Sequence, residues 1–141
     1  MNYASPISRL ARVAEALAAD QLPEPADRMW LVQGARTYIG GEWGLLEALG
    51  LNVDQGQRDP RTALALERRD VTVRAASKYW PVAENLHLAL NRYFCSGWQR
   101  ERHLQECPAN RIGRPEEWLW RILNAREQVI CSKHIRDIVR K

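Results

Sequence analysis

The chain has 141 residues, 45% of them hydrophobic and 27% charged, with a formal net charge of +4. This composition is too apolar for a disordered chain, is ordinary for one globular domain of residues 1–141, and needs no disulfide or metal to support a core. The odd number of cysteines, three, favours a reducing compartment. No stretch reaches the roughly 18 apolar residues of a membrane span, and Arg9, Arg12 and Glu15 interrupt the N-terminal region where a signal peptide needs an apolar run. We therefore expect a cytoplasmic protein with no membrane partner.

The N-terminal stretch "SPISRLARVAEALAAD" predicts a helix from Ser5 to about Ala19. Ser5 is suited to capping, and a proline at the first helical position loses no hydrogen bond. Apolar residues then recur at helical spacing. The face predicted to be buried carries Ile7, Leu10, Ala14 and Leu17.

Two more helices are predicted before the long loop "NVDQGQRDP". The second runs from about Ala26 to Ile39 and ends at a pair of glycines. The third is short, lies in "EWGLLEALGLN", and ends at Gly50, which we expect in the left-handed conformation that closes many helices.

After Asp59-Pro60 a long helix is predicted toward Trp80, with a break near Asp70 as one alternative and a short strand in "DVTV" as another. Pro81 sets a boundary. Four further helical segments follow, and Ser96 with Gln99 resembles a capping box at the start of the second of them. The segments are "VAENLHLALNRYF", "SGWQRERHLQE", "PEEWLWRILNA" and "KHIRDIVRK", the last with Ser132 as its expected cap.

The fold class that follows is all-α: a single compact bundle of seven or eight short helices. A helix-turn-helix-like pair at the C-terminus is a possible part of it. No internal repeat and no linker long enough to separate domains is present.

The charge is divided unevenly along the chain. Residues 1–70 hold 8 Lys/Arg and 10 Asp/Glu, whereas residues 71–141 hold 13 and 7, a balance of +6. A basic half can mark an anionic partner. However, 18 of the 21 basic residues are arginine, and the nucleotide composition of the genome alone could favour arginine codons. Both interpretations stay open.

The C-terminal segment carries the nucleic-acid hypothesis. "PEEWLWRILNA" and the last helix could form a helix-turn-helix, with Ile135 and Ile138 packed inward, although "REQVIC" between them is longer than the usual turn. Arginine, lysine and serine at a helix start are typical phosphate contacts. The residues predicted to contact nucleic acid are Arg111, Arg114, Ser132, Lys133, Arg136, Arg140 and Lys141. The alternative is a terminal helix whose charges face only water.

Four side chains have the chemistry of zinc ligands. His103 and Cys107 share one face of a helix, and Cys131 and His134 lie around the start of the last helix. Their order and spacing match no zinc-finger pattern known to us, and free cysteines are often small buried hydrophobes. We therefore expect no metal and no cofactor.

No catalytic motif is present. The glycines of "GARTYIGGEWG" lack the spacing of a phosphate-binding loop, and no nucleophile elbow occurs. We expect a small non-enzymatic regulatory or accessory protein that binds nucleic acid through its basic half. The alternative is an adaptor or inhibitor that binds a protein through an aromatic or apolar helical surface, for which six tryptophans are suggestive. Self-association is a further open possibility.

Overall fold

The computed structural model describes residues 5–41 and 43–141. Within these ranges every regular element is an α-helix, so the all-α prediction is confirmed. Residues 1–4 and Glu42, the latter in the predicted third helix, lie outside the described residues. The helices are α1 Pro6–Ala18, α2 Pro25–Ile39, α3 Leu45–Ala48, α4 Pro60–Ala76, α5 Ala83–Cys95, α6 Gly97–Glu101, α7 Pro115–Ala125 and α8 Ser132–Arg140.

The chain divides into two compact units, residues 1–64 (unit 1) and residues 65–141 (unit 2). The expectation of a single domain over residues 1–141 stays a prediction. Within the described residues no helix combines the length and the apolar character that crossing a bilayer requires.

Unit 1 contains α1, α2 and α3, and a buried ion pair joins the first two of these helices. Asp27 on α2 is 2% exposed. The Arg12 guanidinium on α1 donates to both carboxylate oxygens of Asp27, at 2.8 and 2.9 Å. Arg9 Nε lies 3.8 Å from Asp27 Oδ1. The hydrogen bonds from Arg12 hold the Asp27 pKa below its usual value although burial opposes this. The pair therefore fixes how α1 and α2 pack.

A glycine on α2 allows the third helix to approach. A Cβ at Gly34 would lie 2.3 Å from Leu49 Cδ2, so only glycine leaves room for this buried leucine. Gly50 follows with φ +68°, as predicted for the residue that closes α3.

The predicted extent of the first helix is confirmed, but its predicted buried face holds only in part, since Ile7 and Leu10 are half-buried and none of the four residues is fully buried. Ser8 and Val13 are the buried residues of α1, whereas Leu17 is 59% exposed and Ala14 is exposed. The helix carries small or apolar residues around most of its circumference, so spacing alone does not select a face. The contacts of Arg12 and Arg9 with Asp27 on α2 determine its orientation.

Unit 2 is built around α5, which packs against α6, α7 and α8. Leu86 and Leu90 of α5 are fully buried, as their helical spacing predicts. The core also takes side chains from α4, α6, α7, α8 and the segment before α8. Its members are Val73, Ala76, Ala83, Leu86, Leu90, Tyr93, Trp98, Leu119, Trp120, Ile122, Leu123, Ile130, Ile135 and Ile138.

Three local expectations in unit 2 are corrected. α4 continues unbroken through Asp70, and "DVTV" is helical rather than a strand. The capping box does not form, because Ser96 Oγ donates to the Arg92 carbonyl and Gln99 Nε2 to the Phe94 carbonyl. Cys131, not Ser132, is the N-cap of α8, and no side chain caps that helix.

Candidate nucleic-acid interface

The last helix is strongly amphipathic, with apolar residues inside and an outer face that carries basic residues and one acid, the exposed Asp137. Ile135 is 1% exposed and Ile138 is 3% exposed, and both lie in the core of unit 2. α8 packs on α5 through this face. Side chains three and four positions apart share a helix face, so burying the isoleucines turns Lys133, Arg136 and Arg140 outward, where all three are exposed.

In the part of the chain that the structure describes, most basic side chains of α8 form no ion pair. Within the described residues, Lys133, Arg140 and Lys141 have no acidic partner at ion-pairing distance. Arg136 Nη2 lies 3.5 Å from Glu84 Oε1, and both side chains are about half exposed, so water screens this pair. Three of the predicted contacts, Lys133, Arg136 and Arg140, therefore lie together on the solvent-facing side of α8, and Lys141 follows its last residue.

An arginine from α4 extends this basic surface. Arg74 Nε donates to the Ile138 carbonyl at 3.1 Å, which places its guanidinium by the C-terminal end of α8. A cation is favoured there because the last carbonyls of a helix carry partial negative charge. Arg74 was not among the predicted contacts, since only the packing of α4 near α8 brings it there.

Arg111 has a structural role that the sequence did not reveal. Its guanidinium donates to both Glu101 oxygens, at 2.8 and 2.9 Å, and lies 4.7 Å from the centre of the Tyr93 ring. The Tyr93 hydroxyl donates to the same carboxylate. Burial and this hydrogen bond raise the pKa of Tyr93 far above its usual value. Arg111 already has its partners, and we leave it out of the proposed surface.

The other two predicted contacts are Arg114 and Ser132. Arg114 is exposed at the N-cap of α7, and Ser132 is the half-buried first residue of α8. Ser132 lies four positions before Arg136 and so shares its side of α8, whereas Arg114 lies at the start of another helix. Their contact with nucleic acid stays a prediction.

A groove with an aromatic wall runs beside the basic row. It has a volume of about 290 Å³ and includes, among its lining residues, Trp80, Val82, Glu84, Arg136, Val139 and Arg140. Trp80 is half-buried in the turn between α4 and α5 and packs against the core. The Tyr79 ring meets it edge-on, with 6.3 Å between the two ring centroids. No sequence pattern predicted this groove, because its walls come from segments more than 50 positions apart.

The two C-terminal helices are not joined by a tight turn. Six residues, 126–131, separate α7 from α8, and both helices pack on α5. The helix-turn-helix geometry, in which the second helix follows a turn of three or four residues, finds no support here. A proposal for α8 therefore rests on its exposed charge and on the groove, not on a major-groove docking mode.

The four possible zinc ligands are divided between different places, and the expectation that His103 and Cys107 share a helix face is wrong, because α6 ends at Glu101 and both residues lie in the segment after it. Cys131 and His134 line a cavity of about 300 Å³ beside Arg69, whereas Cys107 lines a separate cavity with Trp120. His134 Nε2 lies 3.1 Å from Arg69 Nη2, a distance at which the imidazole accepts a hydrogen bond. Across residues 5–41 and 43–141, no three His, Cys, Asp or Glu side chains come together as a metal site.

No protein-family model, curated protein or solved structure matches this chain.

Proposed function

We propose that the protein is a non-enzymatic nucleic-acid-binding protein whose contact surface is the exposed row of α8, namely Lys133, Arg136 and Arg140, with Lys141 and Arg74 beside it. The observation that carries the proposal is the burial of Ile135 and Ile138, which fixes α8 with this row facing solvent. Arginine and lysine on a rigid helix are suited to phosphate, since guanidinium groups bind two oxygens at once.

The charge balance of unit 2 supports the same proposal. The surplus of +6 falls in residues 71–141, and several of its other arginines are already paired with acids inside that unit. Arg111 pairs with Glu101, Arg121 with Glu117 and Arg102 with Glu127. Lys78, Arg92, Arg100 and Arg114 are also exposed without an acidic partner among the described residues, so the α8 row is distinguished by its arrangement on one helix face rather than by unpaired charge alone.

The experiment is a titration of short labelled duplex and single strand with the protein at several salt concentrations. Each phosphate contact releases close to one counterion from a duplex. Three or four contacts should give a log–log slope of about −3 to −4 on duplex. Absence of binding to either strand form at low salt and micromolar protein would remove the proposal.

A second candidate, an adaptor that binds a protein, is favoured by the surface of unit 1. Met29, Val32 and Ile39 on α2 are 71%, 44% and 81% exposed. Their spacing of three and seven residues places them on one face of the helix, and an apolar stripe of this kind is a common protein-binding surface. Reduced self-association or partner binding in Met29→Lys, together with a failed nucleic-acid titration, would favour this candidate.

A further inference from the structure

We infer that the groove beside α8 is a binding site for one unstacked base, so that the nucleic acid bound by this protein is single-stranded. The inference rests on the proposed function and specifies its substrate. The base would lie against Trp80 and Val139, and the flanking phosphates would contact Arg136 and Arg140, all four of which line the groove.

The shape of the groove limits what can enter it. Its volume of about 290 Å³ lies at the lower end of the range for small-ligand sites. One flat ring system is an occupant of suitable size. The bases of a duplex are stacked and paired, so their faces cannot reach Trp80 without being flipped out. A single strand presents its bases freely, and these stack on aromatic side chains without regard to sequence.

The groove has apolar walls for a base and polar groups for the oxygens of a nucleotide. Trp80, Val82 and Val139 provide apolar walls, and Val139 remains 43% exposed. Among the described residues the indole N–H of Trp80 has no hydrogen-bond acceptor, and its nitrogen is not fully buried. A ligand carbonyl or phosphate oxygen could therefore accept from it.

The charges at the rim favour a phosphate backbone. Arg136 and Arg140 lie one helical turn apart, where their Cβ atoms are about 5–6 Å from each other, so both can contact one phosphate or two adjacent ones. Glu84 is the acid among the lining residues, and Arg136 Nη2 is 3.5 Å from it. The rim carries two positive charges and one negative charge, and Glu84 can accept from an exocyclic amine of the base.

The test compares the affinity of short labelled single strand and duplex for the wild type and Trp80→Ala. We expect the wild type to prefer single strand. Trp80→Ala should weaken single-strand binding by roughly tenfold to a hundredfold, the range found for loss of one base–aromatic stack, while Trp80→Phe keeps most of the affinity. Trp43→Ala, which removes an exposed tryptophan of unit 1, is the matched control and should change nothing.

A second variant keeps the test decisive if Trp80→Ala lowers the stability of the core against which Trp80 packs. Val139→Ala removes part of an apolar groove wall at a 43% exposed position without changing the charge, so it should leave the thermal melt nearly unchanged and still weaken single-strand binding. Equal binding of both strand forms, unaffected by Trp80→Ala and Val139→Ala, would overturn the inference and leave the proposed function standing. Binding of neither form would remove both, and binding of an acidic aromatic peptide alone would indicate a protein ligand.

Discussion

The Arg111 guanidinium lies 4.7 Å from the centre of the Tyr93 ring, and both side chains bond the same Glu101 carboxylate. The Cβ of any residue replacing Gly97 would lie 2.6 Å from the Tyr93 ring, so glycine is needed beside this cluster. The cluster joins α5, α6 and the loop before α7. Arg111 therefore stabilises the fold of unit 2.

Arg111→Ala should lower the free energy of unfolding by about 2–3 kcal/mol, because it leaves the partly buried Glu101 carboxylate without its cation. Arg114→Ala removes an exposed arginine three residues away and is the matched control, expected within about 0.5 kcal/mol of wild type. Urea unfolding followed by circular dichroism measures both. Equal stability of the two variants would show that the Glu101 pair contributes little.

The buried Asp27 carboxylate should make unit 1 sensitive to acid. Hydrogen bonds from Arg12 lower its pKa, so the stabilisation is present above the ordinary aspartate pKa of about 3.9 and is lost as pH falls through the lower folded value. At pH 7 Asp27→Asn should be less stable than wild type by about 1–3 kcal/mol.

The difference between Asp27→Asn and wild type should shrink as the pH falls from about 4 to the lowered folded pKa of Asp27, below which the aspartate is neutral in both states, as asparagine is. Urea unfolding at a series of pH values measures it. A difference that stays constant down to the most acidic value would contradict the assigned role of the ion pair.

The three thiols should differ in reactivity. Cys95 and Cys131 are exposed, whereas Cys107 is half-buried and its pKa is raised by burial and by the Glu117 carboxylate. A colorimetric disulfide reagent at mildly alkaline pH should show two fast thiols and one slow thiol, because the thiolate is the reacting form. Cys107→Ser should remove the slow phase only, and three equal rates would disagree with the structure.

The orientation of α1 can be tested by placing one charge on each of two faces. Val13→Asp buries an unpaired carboxylate at a position that is 3% exposed and should destabilise by a few kcal/mol. Leu17→Asp places the same charge on an exposed position and should change stability by about 0.5 kcal/mol or less. Thermal melts of the two variants decide the matter, and the reverse order would restore the face expected from spacing alone.

The sequence predicted many of the features that depend on local chemistry, although the capping box at Ser96 and the cap at Ser132 do not form. Proline and glycine mark the ends of α2, α3 and α7, and the spacing in α8 separated Ile135 and Ile138 from the basic row. Features that depend on distant partners were missed. The pairing of Arg111 with Glu101, the pairing of Arg12 with Asp27 and the groove at Trp80 each join separate segments, and no local pattern encodes such contacts.

The measurement that bears most directly on the proposed function is the salt dependence of binding in Arg136→Ala/Arg140→Ala. Arg28→Ala/Arg36→Ala, which removes two exposed arginines from α2 of unit 1, is the control with the same loss of charge. The α8 double variant should bind more weakly and flatten the log–log slope by about 2 on duplex or about 1.4 on single strand, with its thermal melt unchanged. The control should retain the wild-type slope to within experimental error. Equal slopes for both double variants, or binding by the α8 variant as tight as wild type, would contradict the assignment of the interface to α8.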